Sequence, residues 1–471
     1  MRHITENYIA GAFRPVSGTD TAPLFDPATA SQIGTVRLSD ATDVDAAVAA
    51  AASALPALSA MSPAGRADML RQLGAAFSRH TDRLAAAMRA EYGAPAPFVA
   101  FSSAHAGSAF AQMADEVQAY PWRQRIGAAE VEMRAAGVTA AITPWNANYG
   151  FICSKLATSI AAGAPMVVKP SELSAIQTQV LVEALHEAGL PAGVLNVIQG
   201  DGPGAGARLA AHPGIARITF TGSTASGRAV LHAAADTIKR VTLELGGKGA
   251  QVVLDDVDLD SAARQVLVNG FINSGQACIA GTRVLVPASR KAAFEARLVA
   301  ALAEWPVGPA HDDRARIGPM VSEKQWSRVQ SYIRLGLDEG ARLLAGGEGR
   351  PEGLEHGWFV RPTLFADANN AMRIAREEIF GPVLCLIPYD GDADAVRIAN
   401  DTMYGLQNYV IGTDRNRARA VAGQLESGRV MINDAVHEPR APFGGFKQSG
   451  LGREFGRFGL DTFLEPRTVL G

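Results

Sequence analysis

Cysteine is scarce in this chain: Cys153, Cys278 and Cys385 are the only three in 471 residues. Their spacing fits neither a disulfide framework nor a thiolate metal site, so a small disulfide-stapled secreted module is excluded. A reducing compartment follows, in which any important sulfur acts as a thiol. Charge of one sign is also missing. The net charge is −3 with no long basic block, which argues against a nucleic-acid partner. Long apolar runs are absent: no stretch of 18 uninterrupted apolar residues occurs, because charge and glycine break the alanine-rich segments. The opening Met1-Arg2-His3-Ile4-Thr5-Glu6-Asn7 lacks the apolar core of a signal peptide. A cytoplasmic protein that does not enter a membrane is expected. No linker, tandem repeat or low-complexity block interrupts the chain, no metal-ligand cluster is legible, and Gly-x-Gly-x-x-Gly does not occur at the strand-to-helix junctions.

What is present is ordinary globular material, 48% hydrophobic and 19% charged, in a chain too long for one core. Residues 1 to about 40 read as strands and turns punctuated by Gly11, Pro15, Gly18 and Pro27. Helical spacing of apolar residues marks Asp43–Ala54, Pro63–Glu91 (Met69, Leu70, Leu73, Phe77, Leu84, Met88) and residues 98–118. Alternation in Glu130-Val131-Glu132-Met133-Arg134 predicts a strand or hairpin outside the main sheet. Five apolar runs then alternate with helical patterns: Val138–Thr143, Pro165–Lys169, Val194–Gln199, Ile215–Thr221 and Val241–Leu245. That rhythm predicts a parallel sheet covered on both faces, with ligands at the carboxyl ends of its strands. A second βα-rich region runs from about Gln251 to Gly450, and the tail from Asp461 to Val469 reads as a last strand.

Chemistry concentrates at strand ends. Glu244-Leu245-Gly246-Gly247-Lys248 puts a carboxylate after the apolar run Val241-Thr242-Leu243, and Asn273-Ser274-Gly275-Gln276-Ala277-Cys278 offers a thiol among small residues. A thiolate attacks carbonyl carbon, and a carboxylate can activate the water that later releases the acyl group. Cys278 has the alternative reading of a small buried hydrophobe, and Glu244 that of a surface strand end. Phe220-Thr221-Gly222-Ser223-Thr224-Ala225-Ser226-Gly227 is either a tight βα turn or a helix N-terminus suited to a pyrophosphate. Lys169-Pro170-Ser171-Glu172 is either a capping segment or a pair of ribose ligands, and Asn146 in Thr143-Pro144-Trp145-Asn146 is either structural or an oxyanion donor. Cys153 and Cys385 lie in apolar runs and read as core.

Glu-Leu-Gly-Gly-Lys followed by Gly-Gln-x-Cys, with 34 residues from acid to thiol, resembles the aldehyde dehydrogenase superfamily, nearly end to end from Phe25-Asp26-Pro27 to Gly450-Leu451-Gly452-Arg453-Glu454. The resemblance implies an aldehyde dehydrogenase-like α/β fold: a doubly wound Rossmann-like NAD(P)-binding domain (1–119 and 138–246), an α/β catalytic domain (247–448) and a small β oligomerisation extension (120–137 and 449–471). It implies oxidation of a small-molecule aldehyde to the acid through a Cys278 thiohemiacetal and thioester, with Asn146 as oxyanion donor and Glu244 as general base. Lys155 and Glu454 fall where the family keeps a proton path. Cofactor contacts are implied at Trp145, Lys169, Glu172, Gly202, Gly222, Ser223, Gly246, Glu378 and Phe380. Glu172 would repel a 2′-phosphate, which favours NAD and leaves NADP open. Substrate contacts are implied at Tyr149, Ala277, Ile279, His437 and Phe443, and homodimers or homotetramers are expected. Glu244 argues for a free-acid product over a coenzyme-A-acylating enzyme, and the joint presence of Cys278, Glu244 and Asn146 argues against a non-catalytic relative. The chain departs from the family at Ala147-Asn148-Tyr149-Gly150 and at the polar His437, Glu438 and Arg440, where Arg440 or His437 is a candidate to steer a distal carboxylate.

Overall fold

The computed structural model describes residues 1–471 and turns the βα rhythm into two sheets. In the first, five parallel strands run side by side as Arg240–Glu244, Arg217–Thr221, Thr139–Ile142, Met166–Lys169 and Leu195–Val197. The first strand in sequence, Thr139–Ile142, sits between the second and the fourth, so the order reverses there and a crevice opens at the carboxyl ends. Helices Asn148–Ala162 and Ala175–Glu187 bury one face, and Ala41–Ala60, Ala207–Ala211 and Thr224–Ala235 bury the other. Antiparallel strands extend both edges, Glu6–Ile9 and Ala12–Pro15 at one and Gly450–Leu451 at the other.

The second sheet runs Arg342–Ala345, Thr363–Ala366, Val383–Tyr389, Arg283–Pro287, Ala250–Val253, Gln407–Ile411, Arg429–Ile432, parallel except for its first strand. Only Leu245–Gly249 separates Glu244 at the end of one sheet from Ala250 at the start of the other. This crossing explains the glycines: a Cβ on Gly247 would lie 2.3 Å from the Cys278 carbonyl oxygen, and one on Gly246 would lie 2.5 Å from Glu378 Oε2. A third small sheet pairs Leu464–Leu470 and Arg123–Ile126 with the central strand Ala129–Ala135.

Four details refine the sequence reading. The helical stretch Pro63–Glu91 is two helices, Pro63–Arg79 and Thr81–Tyr92, broken at His80, because the apolar spacing on either side is continuous and hides the change of direction. The extension does not begin at 449: Gly450 and Leu451 pair with Glu244 and Leu243 in the cofactor sheet, and Gly456–Asp461 is helical before the last strand. Helix Ala41–Ala60 is long and apolar enough to cross a membrane by composition, with mean hydropathy 1.2. Its alanines and valines pack instead against the first sheet through Val44, Ala47, Val48 and Ala51, and Asp40 caps its N-terminus with Asp43 reciprocating. Tyr149, expected at the substrate, is fully buried in the core, its hydroxyl 2.9 Å from Ser103 Oγ.

Candidate active site

Alternation along Arg217–Thr221 divides the strand between core and chemistry. Ile218 and Phe220 enter the apolar cluster, whereas Arg217, Thr219 and Thr221 face the other way. Thr219 Oγ1 accepts from Lys155 Nζ at 2.9 Å and donates to Glu454 Oε1 at 3.1 Å, and Lys155 and Glu454 form an ion pair. Lys155 is the single charge in Asn148–Ala162, a helix buried almost all round. A buried ammonium of this kind persists only when paired.

At the crevice, a cleft of about 600 Å³ is walled by Pro144, Trp145, Asn146, Phe151, Thr221, Gly222, Ser223, Glu244, Gly246, Cys278, Glu378 and Phe380, among others. The structure thereby brings Cys278, Asn146 and Glu244 to one cavity although they belong to three separate segments. Asn146 Nδ2 donates to the Gln276 carbonyl at 2.9 Å, and Asn273 Nδ2 donates to the Asn146 carbonyl at 3.0 Å. The loop that carries Cys278 is thus stapled to the end of the cofactor sheet. Asn273, Ser274 and Gly275 all have positive φ (53°, 59° and 74°), a run of left-handed residues that such stapling must hold. Gln276 adds a second anchorage, donating to Pro319 O and accepting from Val321 N.

Glu244 is 3% exposed, and neither carboxyl oxygen has a hydrogen-bond partner. Burial, then the charge of Glu454, holds its pKa well above the usual carboxylate range, while Lys155 pulls the other way. Gly444, with φ +151°, leaves room beside it: a Cβ there would sit 2.7 Å from Glu244 Oε1. Cys278 is half-buried, and burial pushes its thiol up to about 12, with Glu378 and Glu244 adding to the rise and Arg429 opposing it.

The residues expected around a dinucleotide fall at two neighbouring places. Trp145, Gly222, Ser223, Gly246, Glu378 and Phe380 line the cleft, with Trp145 and Phe380 edge to face at 5.5 Å. Glu378 accepts from Gly247 N at 2.9 Å, and burial lifts its pKa to about 7. The Gly222 N–H is occupied by the Glu244 carbonyl at 3.0 Å. An anion would therefore use the first-turn N–H groups of Thr224–Ala235 and the buried Thr221 and Thr224 hydroxyls, which have no partner. Lys169, Glu172 and Gly202 lie beyond these walls, past the ends of the next two strands. Lys169 Nζ is buried and donates to Gly200 O at 3.1 Å, Glu172 is half-exposed beside it, and Gly202 opens a tight turn that ends at Gly206 over the Lys169 stem.

Next to Cys278 in the chain, Ala277 and Ile279 are half-buried, and the Ile279 carbonyl accepts from Tyr409 OH at 2.8 Å. His437 is half-buried and Phe443 buried, whereas Arg440 is exposed and pairs with Glu438 two residues away. The arginine that reaches this region is Arg429, which sequence reasoning missed. Its only signal is a charge opening the apolar strand Arg429-Val430-Met431-Ile432. Phe151 also lines the cleft, two residues from Tyr149 and hence on the other side of the same helix.

The aldehyde dehydrogenase family model matches residues 13–469. A 3-succinoylsemialdehyde-pyridine dehydrogenase from a Pseudomonas species is 44% identical, the match covering 100% of this chain and 99% of that one. Among solved structures, a cysteine-to-alanine variant of aldehyde dehydrogenase C from Pseudomonas syringae, in complex with NAD+ and octanal, superposes with a TM-score of 0.97 at 40% identity, covering 99% of this chain and 96% of that one. A Mycobacterium tuberculosis aldehyde dehydrogenase complexed with NAD+ gives 0.96 at 39% identity, over 100% and 98% of the two chains. With its two wound sheets and the cleft between them, the chain belongs to the aldehyde dehydrogenase family.

Proposed function

We propose that the protein oxidises an aldehyde to the free carboxylic acid with NAD+, using Cys278 as nucleophile. One observation carries the free-acid reading: a buried carboxyl, Glu244, with both oxygens unpartnered, shares a cleft with a thiol. Cys278 adds to the carbonyl carbon, and the amide of Asn146 with the Cys278 backbone N–H holds the oxygen that gains charge. A nicotinamide dinucleotide supplies the hydride acceptor, which raises the bound carbon to the acid level. The residues fit such a group, since the unpartnered Thr221 and Thr224 hydroxyls, the start of helix Thr224–Ala235 and the Glu378 carboxylate face one elongated cleft. Glu244 then takes a proton from the water that cleaves the acyl–sulfur bond, and the Lys155–Thr219–Glu454 array beside it offers a route for that proton outward.

The aldehyde dehydrogenase from Pseudomonas syringae holds NAD+ and octanal together, and the pyridine semialdehyde enzyme is named for a succinoyl semialdehyde; both support an aldehyde with a chain of several carbons. The half-exposed Glu172 supports NAD over NADP through repulsion of a 2′-phosphate. An aldehyde panel run with NAD+, NADP+ and added coenzyme A tests the whole reading. Acid is the expected product, kcat/KM is expected to be at least about tenfold higher with NAD+, and acyl-coenzyme A formation would overturn the role given to Glu244.

The pH dependence follows from the raised pKa values of Glu244 and Cys278. Both groups act as anions, and both are neutral acids below their raised pKa, so the rate must climb as pH rises. We expect kcat to increase steadily between about pH 6 and pH 9. Glu454→Gln removes a repelling charge from Glu244, lowers its pKa and moves the acid limb of kcat to lower pH. A profile already flat below neutrality would contradict the assignment.

The small sheet of Arg123–Ile126, Ala129–Ala135 and Leu464–Leu470 has two open edges and exposes Ile126, Val469 and Leu470. Such edges invite pairing with another chain, which supports a homodimer or homotetramer.

A further inference from the structure

The reaction as proposed leaves one strong cation without a task. Arg429 begins the edge strand of the second sheet and is half-buried. Its Nε donates to Gln407 Oε1, its Nη1 donates to His437 Nδ1 at 2.7 Å, and the Phe443 ring lies 4.8 Å from its guanidinium carbon. Nη2 donates to no protein atom, and no carboxylate lies within ion-pair distance of the guanidinium. Its charge is nevertheless felt at Cys278, Glu244, His105 and His437. A partly desolvated guanidinium without a counter-charge is a strong donor in search of an acceptor.

The surroundings say what kind of acceptor. His437 accepts a hydrogen bond from Arg429 at Nδ1, so its own N–H is on Nε2, a second donor close by. His105 and His437 stand 5.8 Å apart, each edge-on to Phe455 at 5.4 and 6.1 Å, and Phe443 stacks on Phe455 at 5.6 Å. A cluster of aromatic rings with donors at one corner suits a carbon chain that carries an oxygen of its own.

Resting on the aldehyde dehydrogenase reading, we propose that Arg429 is a specificity-determining residue that binds a second, distal oxygen of the substrate, so that the enzyme prefers oxo-aldehydes and semialdehydes to plain alkanals. A ketone oxygen and a carboxylate share the required chemistry, and the test separates them.

The experiment compares kcat/KM for pentanal, 4-oxopentanal and succinic semialdehyde with NAD+ in the wild-type protein, Arg429→Met, Arg429→Lys and His437→Phe. The wild-type protein is expected to favour at least one oxygenated substrate over pentanal by about tenfold or more. Arg429→Met is expected to lower that ratio by about 10- to 100-fold, chiefly through KM, because a neutral chain cannot donate. The larger of the two wild-type ratios identifies ketone or carboxylate, and Arg429→Lys should retain more of the carboxylate ratio. His437→Phe removes a donor while leaving the guanidinium and must lower the same ratio, which keeps the test open if Arg429→Met folds poorly. A wild-type protein without preference, or variants whose ratios stay within about twofold, would overturn the proposal. So would an equal loss on all three substrates, together with a shifted pH profile of Cys278 alkylation, which would place Arg429 in thiol activation instead. Absence of NAD+ reduction with every aldehyde would sink the underlying reading and is distinct from these results.

Discussion

Replacing Cys278 with alanine is expected to reduce aldehyde oxidation by about four orders of magnitude or more, because the covalent route disappears and positioning alone remains. The substitution removes only a sulfur. Alanine is smaller, the loop is held by Asn273, Gln276 and Ser274 and not by the thiol, and Cys278 Sγ makes no side-chain hydrogen bond that anchors the fold. Dinucleotide binding should therefore persist and is measurable by NADH fluorescence on the same sample. Cys153→Ala and Cys385→Ala provide the contrast. Both sulfurs are 0% exposed inside apolar clusters, burial raises both thiols, and neither lines the cleft. Those variants are expected to change thermal stability by a kcal/mol or so and leave kcat near the wild-type value. A Cys278→Ala protein that kept a tenth of the activity would dispose of the nucleophile.

What the sequence made legible was local and periodic. The strand Arg217–Thr221 announces itself as the end of an apolar run, the helix after it opens on the Ser223 side-chain cap, and the short turn Glu172–Ser174 opens on Ser171. The glycines of Glu244-Leu245-Gly246-Gly247-Lys248 carried a motif, but their reason, the passage of the chain within contact of the Cys278 carbonyl and of Glu378, is a long-range fact. Long-range pairing is also what hid the Gly450–Leu451 strand: two residues have no periodicity, and only their register with Leu243 and Glu244 makes them a strand. Tyr149 was misplaced for a related reason. Which side of Asn148–Ala162 faces the cleft depends on the rotation of that helix against Ala96–Ala119, and Phe151, not Tyr149, came out on the open side. Arg429 escaped notice because an arginine at a strand end is ordinarily a solvated charge. Only the fold reveals that its neighbours are His437, Phe443 and Gln407 and that no acid pairs with it.

Glu244→Gln should separate the two halves of the reaction. Glutamine has the same size and keeps one oxygen, so the packing against Gly444, where a Cβ would come within 2.7 Å of Glu244 Oε1, is disturbed little. The amide cannot take a proton from water, however, and nothing else in the cleft replaces it. Lys155 and Glu454 are committed to each other and to Thr219, and Glu378 is fastened to the Gly247 N–H. Attack by Cys278 does not need this proton transfer. Hydrolysis of the acyl–sulfur bond does. The expected result is a rapid burst of about one NADH per Cys278, followed by a steady rate lowered by about 10²- to 10⁴-fold, the range of a lost general base. Acid quenching during the slow phase should trap the acyl group on Cys278, visible as a mass increase of the intact chain. Hydroxylamine, a nucleophile that needs no general base, should restore turnover by cleaving the acyl–sulfur bond directly. If the burst vanished together with the steady rate, Glu244 would belong to the first half of the reaction, as the group that takes the thiol proton. The pH profile of the burst would then follow the raised carboxyl pKa instead of being indifferent to it. The orphaned carboxyl beside the thiol is compatible with either order of events, and the burst decides between them because it counts the bonds made before water is needed.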